Sequence, residues 1–463
     1  MNTQQRRVLL PATAVTAAAL LAGACSGTAN GTANGTANEA GGQATKSNTC
    51  VHVVDENTGR PGSDCLPVAP ATDRVDLTEP RFTHPTPVTN PLHPTSEVDQ
   101  TIYGGQVDGK PFRTEVSTLP GTKTITLADG TSVKALIQQY AAYSDGRINE
   151  VALDWFAQAD DGSVWYLGED VFNYEDGVVA DTDGTWMAGR EGAPAAMIMP
   201  ARPEKGDVYR PENLPEIVFE EVTVRAVDQT VDGPYGKVEG ALTVRELHMD
   251  GSTEDKVFAP GYGEFSTGGT ATETGDLEAV SLAVPTDAKS GPVPAALTAL
   301  ERAVRAAHTD PGAGTARAAS AAWTAYRASD DVPALLERQM TRDLAALAKA
   351  PEDRSAALRV AQNTTDLRLR YEPPRTVDAD RFGLWARQLG IDAAAGDAGA
   401  VAGDVTSLEL AWERLREGTP AATANTLTTD LGAARDAADR EDVTGAGELA
   451  HRLLADIAKV PVL

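Results

Sequence analysis

From residue 81 to residue 285 the apolar side chains recur at every second position. In the stretch 150–158, Val151, Leu153, Trp155 and Ala157 share one face, with Asp154 and Gln158 on the other. After Asp161-Gly162, Val164, Tyr166 and Gly168 oppose Trp165 and Leu167. A period of two marks half-buried strands. Asp-Gly pairs beginning at Asp108, Asp129, Asp145, Asp161, Asp176, Asp183, Asp232 and Asp250 separate these runs. Such pairs favour tight hairpin turns, which need positive φ. With further strands at 217–227 and 277–284, the region is expected to be an antiparallel meander of about eight to ten strands, one curved sheet or a sandwich.

Beyond residue 293 the period changes to that of a helix. Leu336, Met340, Leu344 and Leu347 form one stripe, and Val401, Val405, Leu408, Trp412 and Leu415 another. Phe382, Trp385 and Leu389 make a third, and Leu449, Leu453 and Ile457 a fourth. Pro333 suits a helix start. With weaker runs at 294–307, 315–329, 353–370 and 420–438, seven or eight helices are expected in 294–463. Short connectors favour an antiparallel bundle or an array of helical hairpins. Pro285, Gly291 and Pro292 lie between the two regions and read as a hinge. The fold class is therefore α+β in two domains, an antiparallel sheet followed by an all-α bundle.

The N-terminus carries a different message. Arg6-Arg7 precedes an apolar run from Val8 to Leu21, and Leu21-Ala22-Gly23-Ala24 leads into Cys25. A basic start, a short apolar core and small residues at the cut site describe a secretory signal peptide over residues 1–24. The run is too short to span a bilayer as a permanent helix. Small residues followed at once by cysteine resemble a bacterial lipobox, which implies lipidation of Cys25 and a membrane anchor outside the cytoplasm. Arg6-Arg7 also resembles a twin-arginine signal. Gly-Thr-Ala-Asn then repeats from Gly27 to Asn38, a composition that cannot build a core, so 25–80 reads as a flexible tether. The remaining cysteines, Cys50 and Cys65, are an even pair in an exported chain and read as a disulfide closing a small loop in that tether.

Charge narrows the partners. The 463 residues carry a formal charge of −27, which disfavours nucleic acid. Residues 25–284 hold 17 Lys and Arg against 41 Asp and Glu, while 285–463 hold 21 against 26. This asymmetry supports two units and concentrates the acidity in the β region.

Candidate chemistry is sparse. Trp155, Trp165, Tyr166, Trp186 and Glu169 would suit a concave aromatic platform for a sugar or lipid, although strand aromatics usually serve as core and cross-strand pairs. Met187, Met197, Met199 and the pair His248-Met249 offer soft metal ligands, and Met is more often a core filler. Arg368, Arg370 and Arg375 could form an anion pocket, or an ion-pair network with Asp366, Asp378 and Asp380. Glu448 and His451 share a helix face, but a di-metal bundle needs that motif twice. No nucleophile elbow, dinucleotide fingerprint or phosphate-binding loop occurs. No catalytic residue and no cofactor is assigned.

The stretch from Asp154 to Asp170, Asp-Trp-Phe-Ala-Gln-Ala-Asp-Asp-Gly-Ser-Val-Trp-Tyr-Leu-Gly-Glu-Asp, is similar to a β-rich module of uncharacterised actinomycete secreted lipoproteins. The resemblance runs on through Gly184–Gly189, Ile198-Met199-Pro200, Gly206–Arg210, Val231–Gly236 and Phe258–Gly263, about residues 82–265 in all. It implies fold and location, and no activity. Together these readings lead to the expectation of a membrane-anchored extracytoplasmic lipoprotein that binds a small molecule, a glycan or an envelope protein without catalysis. A metal-handling protein and a carboxylate-dependent glycan hydrolase are the alternatives.

Overall fold

The computed structural model describes residues 50–461, apart from 56–58, 108, 216, 269–276 and 330–331. Cys25, the signal peptide, the tether up to residue 49 and the Asp108 turn lie outside the described residues. The first ordered unit is a hairpin, β1 (His52–Asp55) and β2 (Arg60–Cys65), closed by the Cys50–Cys65 disulfide as the sequence led one to expect. Val51, Val54 and Leu66 pack this hairpin onto Phe219 and Met249 of the main sheet.

Among the described residues the main sheet has 14 antiparallel strands. In chain order they are β3 (Gln100–Val107), β4 (Lys110–Thr126), β5 (Ser132–Ser144), β6 (Arg147–Gln158) and β7 (Val164–Glu175). The short β8 (Val178–Asp181), β9 (Trp186–Met187) and β10 (Ala196–Met199) all pair with β7. Then come β11 (Val208–Leu214), β12 (Val218–Gly233), β13 (Gly236–His248), β14 (Thr253–Ala259), β15 (Gly263–Gly268) and β16 (Leu277–Val284). Each strand of the meander pairs with its neighbour, and β16 returns to pair with β3 along Gln100–Gln106. The free ends of the sheet, β10 and β11, are consecutive in the chain. The sheet is thus curled into a barrel with a single seam, and strands from β3 round to β15 line one common cavity.

The strands outnumber the expected eight to ten because β8, β9 and β10 lie in Gly-, Asp- and Pro-rich sequence without alternation. The Asp-Gly turns at Asp145 and Asp176 adopt positive φ at both residues, as tight hairpins require. Asp232-Gly233 makes no turn. It belongs to β12 and pairs with Lys237 and Gly236, so Pro234-Tyr235 makes the turn.

Among the described residues eight helices follow: α1 (Ala295–Thr309), α2 (Ala313–Ser329), α3 (Ala334–Lys349), α4 (Arg354–Arg368), α5 (Pro374–Ala395), α6 (Ala398–Arg416), α7 (Ala421–Asp439) and α8 (Val443–Ile457). Asp353, Asp397 and Asp442 cap α4, α6 and α8 by accepting from backbone N–H groups three residues on. The helices form two cores. Leu300, Trp323, Met340 and Val360 centre the first, and Phe382, Val405, Leu427 and Leu453 the second. No helix among the described residues is long and apolar enough to cross a membrane.

The 285–293 segment is tied to both the barrel and the helices through Asp287 and Lys289. Asp287 accepts from the Ala283 N–H and from the Tyr262 hydroxyl, and Lys289 N–H donates to the Arg370 carbonyl. The barrel's outer face is clamped to the helices. Val151 packs on Leu410, and Tyr143 stacks on Trp385 at 5.3 Å.

At the centre of this contact lies a buried ionic cluster. Arg113 grips Asp366 through two bonds of 2.8 and 2.7 Å and also holds Glu115 at 2.8 Å. Arg381, fully buried, bonds Asp366 at 2.8 Å and Asp378 at 3.0 Å. Arg414 reaches Glu115 at 2.9 Å and Asp378 at 3.0 Å. Three arginines and three carboxylates balance, the condition under which buried charge is tolerable.

Candidate functional site: an acid-lined barrel lumen

Alternation decides what faces inward, and it reverses the simplest expectation. Asp154 and Phe156 of β6 line the cavity inside the barrel, while Val151 faces the helices. Trp155 lies on the outer side beneath Lys123, whose ammonium sits 3.2 Å from the ring centroid. The acidic face of the strand is therefore the inner one.

Strand register carries this pattern around the barrel. Asp154 stands directly opposite Glu169, Glu212 opposite Glu220, and Glu246 opposite Glu254. Directly opposed side chains share a face, and like charges there repel. Glu150, Glu264 and Glu278 add to the same interior. Glu278 accepts from the Thr114 hydroxyl, and Glu264 lines the cavity beside Tyr103. The cavity itself is about 90 Å³. Its wall includes His93, whose ring meets Phe156 edge-on at 4.7 Å and is held neutral by burial, which lowers its pKa to about 4.

Among the described residues two cations answer these acids. Lys256 places its ammonium 2.6 Å from Glu246 and 3.6 Å from Glu254. Burial works against that charge, but the surrounding carboxylates, Glu246 foremost, hold it well above the usual lysine range. His248 lies 3.4 Å from Glu220 and 3.7 Å from Glu254. Burial again opposes its charge, and the contact with Glu220 outweighs it, raising the ring to about 9.

The other carboxyls have no such partner. Burial pushes Glu150 up to about 8, with Asp154 and Asp181 adding repulsion. Burial pushes Asp154 itself to about 7, although the Tyr166 hydroxyl donates to it at 2.7 Å. Glu212 rises to about 8 through burial and the field of Glu220, and Glu264 to about 7 through burial. Glu169 and Glu278 rise well above the carboxylate range for the same first reason. Both oxygens of Glu169 and of Glu212, and one oxygen each of Glu220 and Glu278, are buried without a hydrogen-bond donor. Glu169 and Glu212 face each other across the seam, so one carboxyl can bond the other only by keeping a proton. An unpaired buried carboxylate must take up either a proton or a cation.

The aromatic residues singled out from sequence do not form an open platform. Trp155, Trp165, Tyr166 and Trp186 are each buried in the large core of the barrel. Of that group, Tyr166 donates to the lumen's Asp154 and Glu169 stands opposite Asp154 in register. The soft metal ligands scatter. Met187, Met197 and Met199 join the main core and Met249 packs beneath the first hairpin. His248 instead meets Glu220 and Glu246, with one ligand atom of each lying within 4.8 Å of the others.

Arg368, Arg370 and Arg375 do not converge on an anion site. Arg368 pairs with Glu372 at 2.6 Å and Asp380 at 2.5 Å. Arg370 covers the Tyr235 ring, and Arg375 donates to the carbonyls of Leu415, Glu417 and Pro461. Glu448 and His451 are both exposed on α8.

Sequence reading missed Glu150, Glu212, Glu220, Glu246, Glu264 and Glu278. The signal was an isolated acid in mid-strand, which turns functional only when its neighbours in register are acids too.

Comparison with known proteins adds little. No family profile and no curated protein matches this chain. A solved structure, a provisionally assigned lipoprotein of Parabacteroides distasonis, is 9% identical and covers 44% of this chain and 100% of its own. Its TM-score of 0.18 is too low to support an argument.

Proposed function

We propose that the protein is a lipid-anchored extracytoplasmic binding protein whose barrel lumen takes a small cationic ligand. The anchoring part rests on the lipobox-like run ending at Cys25 and on the resemblance to actinomycete secreted lipoproteins. The binding part rests on one observation: buried carboxyls crowd the barrel interior in excess of Lys256 and His248, with Asp154, Glu246 and Glu264 in the cavity wall and oxygens of Glu220 and Glu278 lacking any donor. A fold that maintains directly opposed acidic pairs sacrifices stability, and a cation in the lumen converts that cost into affinity. At about 90 Å³ the cavity suits a metal ion with its waters or a small organic cation.

The test is thermal unfolding of the purified protein at constant ionic strength against Ca²⁺, Mg²⁺, Mn²⁺, Zn²⁺, choline and putrescine. At least one should raise the midpoint by several degrees, because a ligand of the native state stabilises it by mass action. That rise should vanish when Glu169 and Glu212 are both changed to Gln. Midpoints that ignore every cation would refute the proposal. Mass spectrometry of the membrane-extracted protein tests the anchor, which predicts a diacylglyceryl adduct on Cys25.

A further inference from the structure

A second cavity, of about 80 Å³, opens outside the barrel where the turn between β5 and β6 meets α3, α4 and α5. One side is aromatic, formed by the Tyr143–Trp385 stack. Its floor holds Asp343 and Asn363, exposed by only 6% and 1%. Asn363 donates through Nδ2 to Asp343 at 2.8 Å, and its own Oδ1 stays buried with no donor. The rim carries two arginines. Arg342 reaches Asp343 only at 3.4 Å, and Arg359 packs its stem on Gly146 with no acid partner among the described residues.

We infer that this interface cavity binds a small zwitterion, an α-amino acid. The ammonium group supplies donors to the Asp343 carboxylate and to the open Asn363 oxygen. The carboxylate meets the Arg359 and Arg342 guanidiniums, and the side chain lies against Trp385. Each simpler ligand leaves a mismatch. A neutral sugar would desolvate Arg359 without answering its charge. An anion alone would face Asp343, and a cation alone would face two arginines. Size agrees as well: at about 10–15 Å³ per water on this measure, the cavity holds roughly half a dozen heavy atoms, the size of an amino-acid backbone.

Occupancy would also brace the contact between barrel and helices, since Arg113 of the buried ionic cluster lines the same cavity. This site shares no residue with the lumen, so it stands or falls separately from the cation reading.

The experiment is isothermal titration of the full protein with glycine, alanine, leucine and glutamate, with N-acetylalanine and alaninamide as partial mimics. At least one amino acid should bind saturably. Acetylation or amidation of alanine should each weaken binding tenfold or more, as expected when one charge-assisted contact is lost. Arg359→Met should weaken amino-acid binding tenfold or more while leaving alaninamide binding unchanged. Arg359→Gln, a milder change at the same half-exposed position, should give the same pattern, and the unfolding midpoint of each variant shows that it is folded. Absence of saturable binding by all four amino acids overturns the inference. So does equal binding of alanine and both of its blocked forms.

Discussion

Replacing Glu150 with Gln should stabilise the protein, and the size of the gain should depend on pH. Glu150 is buried inside the barrel, and burial raises its carboxyl from 4.5 to about 8. In the unfolded chain the same group ionises at its ordinary value. Below pH 4.5 both states are protonated and the group contributes nothing against folding. Between pH 4.5 and 8 the unfolded state loses its proton while the folded state keeps it, so stability falls as pH rises through that window. At 1.36 kcal/mol per pH unit, the loss amounts to about 4 kcal/mol at pH 7.5 and under about 1 kcal/mol at pH 5. Gln keeps the shape and polarity of the neutral acid and cannot ionise in either state. Thermal unfolding of wild type and Glu150→Gln at both pH values is the assay. The variant should melt several degrees higher at pH 7.5 and within a degree or two of wild type at pH 5. A variant equal to or below wild type at pH 7.5, or equally favoured at both, would refute the claim that burial holds this acid neutral.

Other consequences follow from the packing. Arg381→Met leaves Glu115, Asp366 and Asp378 facing only Arg113 and Arg414, and should cost about 3–5 kcal/mol in denaturant unfolding. Gly105→Ala would set a Cβ 1.6 Å from the Leu277 carbonyl oxygen, so the β3–β16 closure must part there. A loss of about 3 kcal/mol is expected, with hydrogen exchange fastest in those two strands. Paired Cys50→Ser and Cys65→Ser changes remove a cross-link spanning 15 residues and should cost about 3 kcal/mol, read as a lower unfolding midpoint.

Much of the architecture could be read from local signals. The Asp-Gly turns at Asp145 and Asp176 marked real hairpins, and the strand expected at 277–284 coincides with β16. The Leu336–Leu347 and Val401–Leu415 stripes identified α3 and α6, and of the Arg-rich run after Asp366 only Arg368 enters ion pairs among the described residues, with Glu372 and Asp380. What local pattern could not supply was everything held at long range. The pairing of β3 with β16 joins strands more than a hundred residues apart, and nothing near Gln100 or Val284 announces the other. Glu115 and Arg113, the strand members of the buried ionic cluster, read as ordinary strand residues until Asp366 and Arg381 are brought against them.

The lumen was hidden for a related reason. A period of two fixes which residues share a face but leaves open which face is inside. The apolar row containing Val151 and Trp155 looked like the core side. The helices cover that row at Val151, Lys123 lies over Trp155, and the acids at 150 and 154 turn inward.

The measurement that bears most directly on the lumen reading is proton release on cation binding. Titration calorimetry with the most stabilising cation, run at pH 7 in two buffers of different ionisation enthalpy, counts the protons displaced. Glu150 and Glu212, raised to about 8 by burial, hold protons at that pH. The account predicts release of about one proton or more per cation and affinity that rises from pH 6 to pH 8. It also predicts loss of both effects in the Glu169→Gln, Glu212→Gln double variant. Binding that displaces no proton, or that survives the double substitution unchanged, would contradict an acid-lined cation site in the barrel.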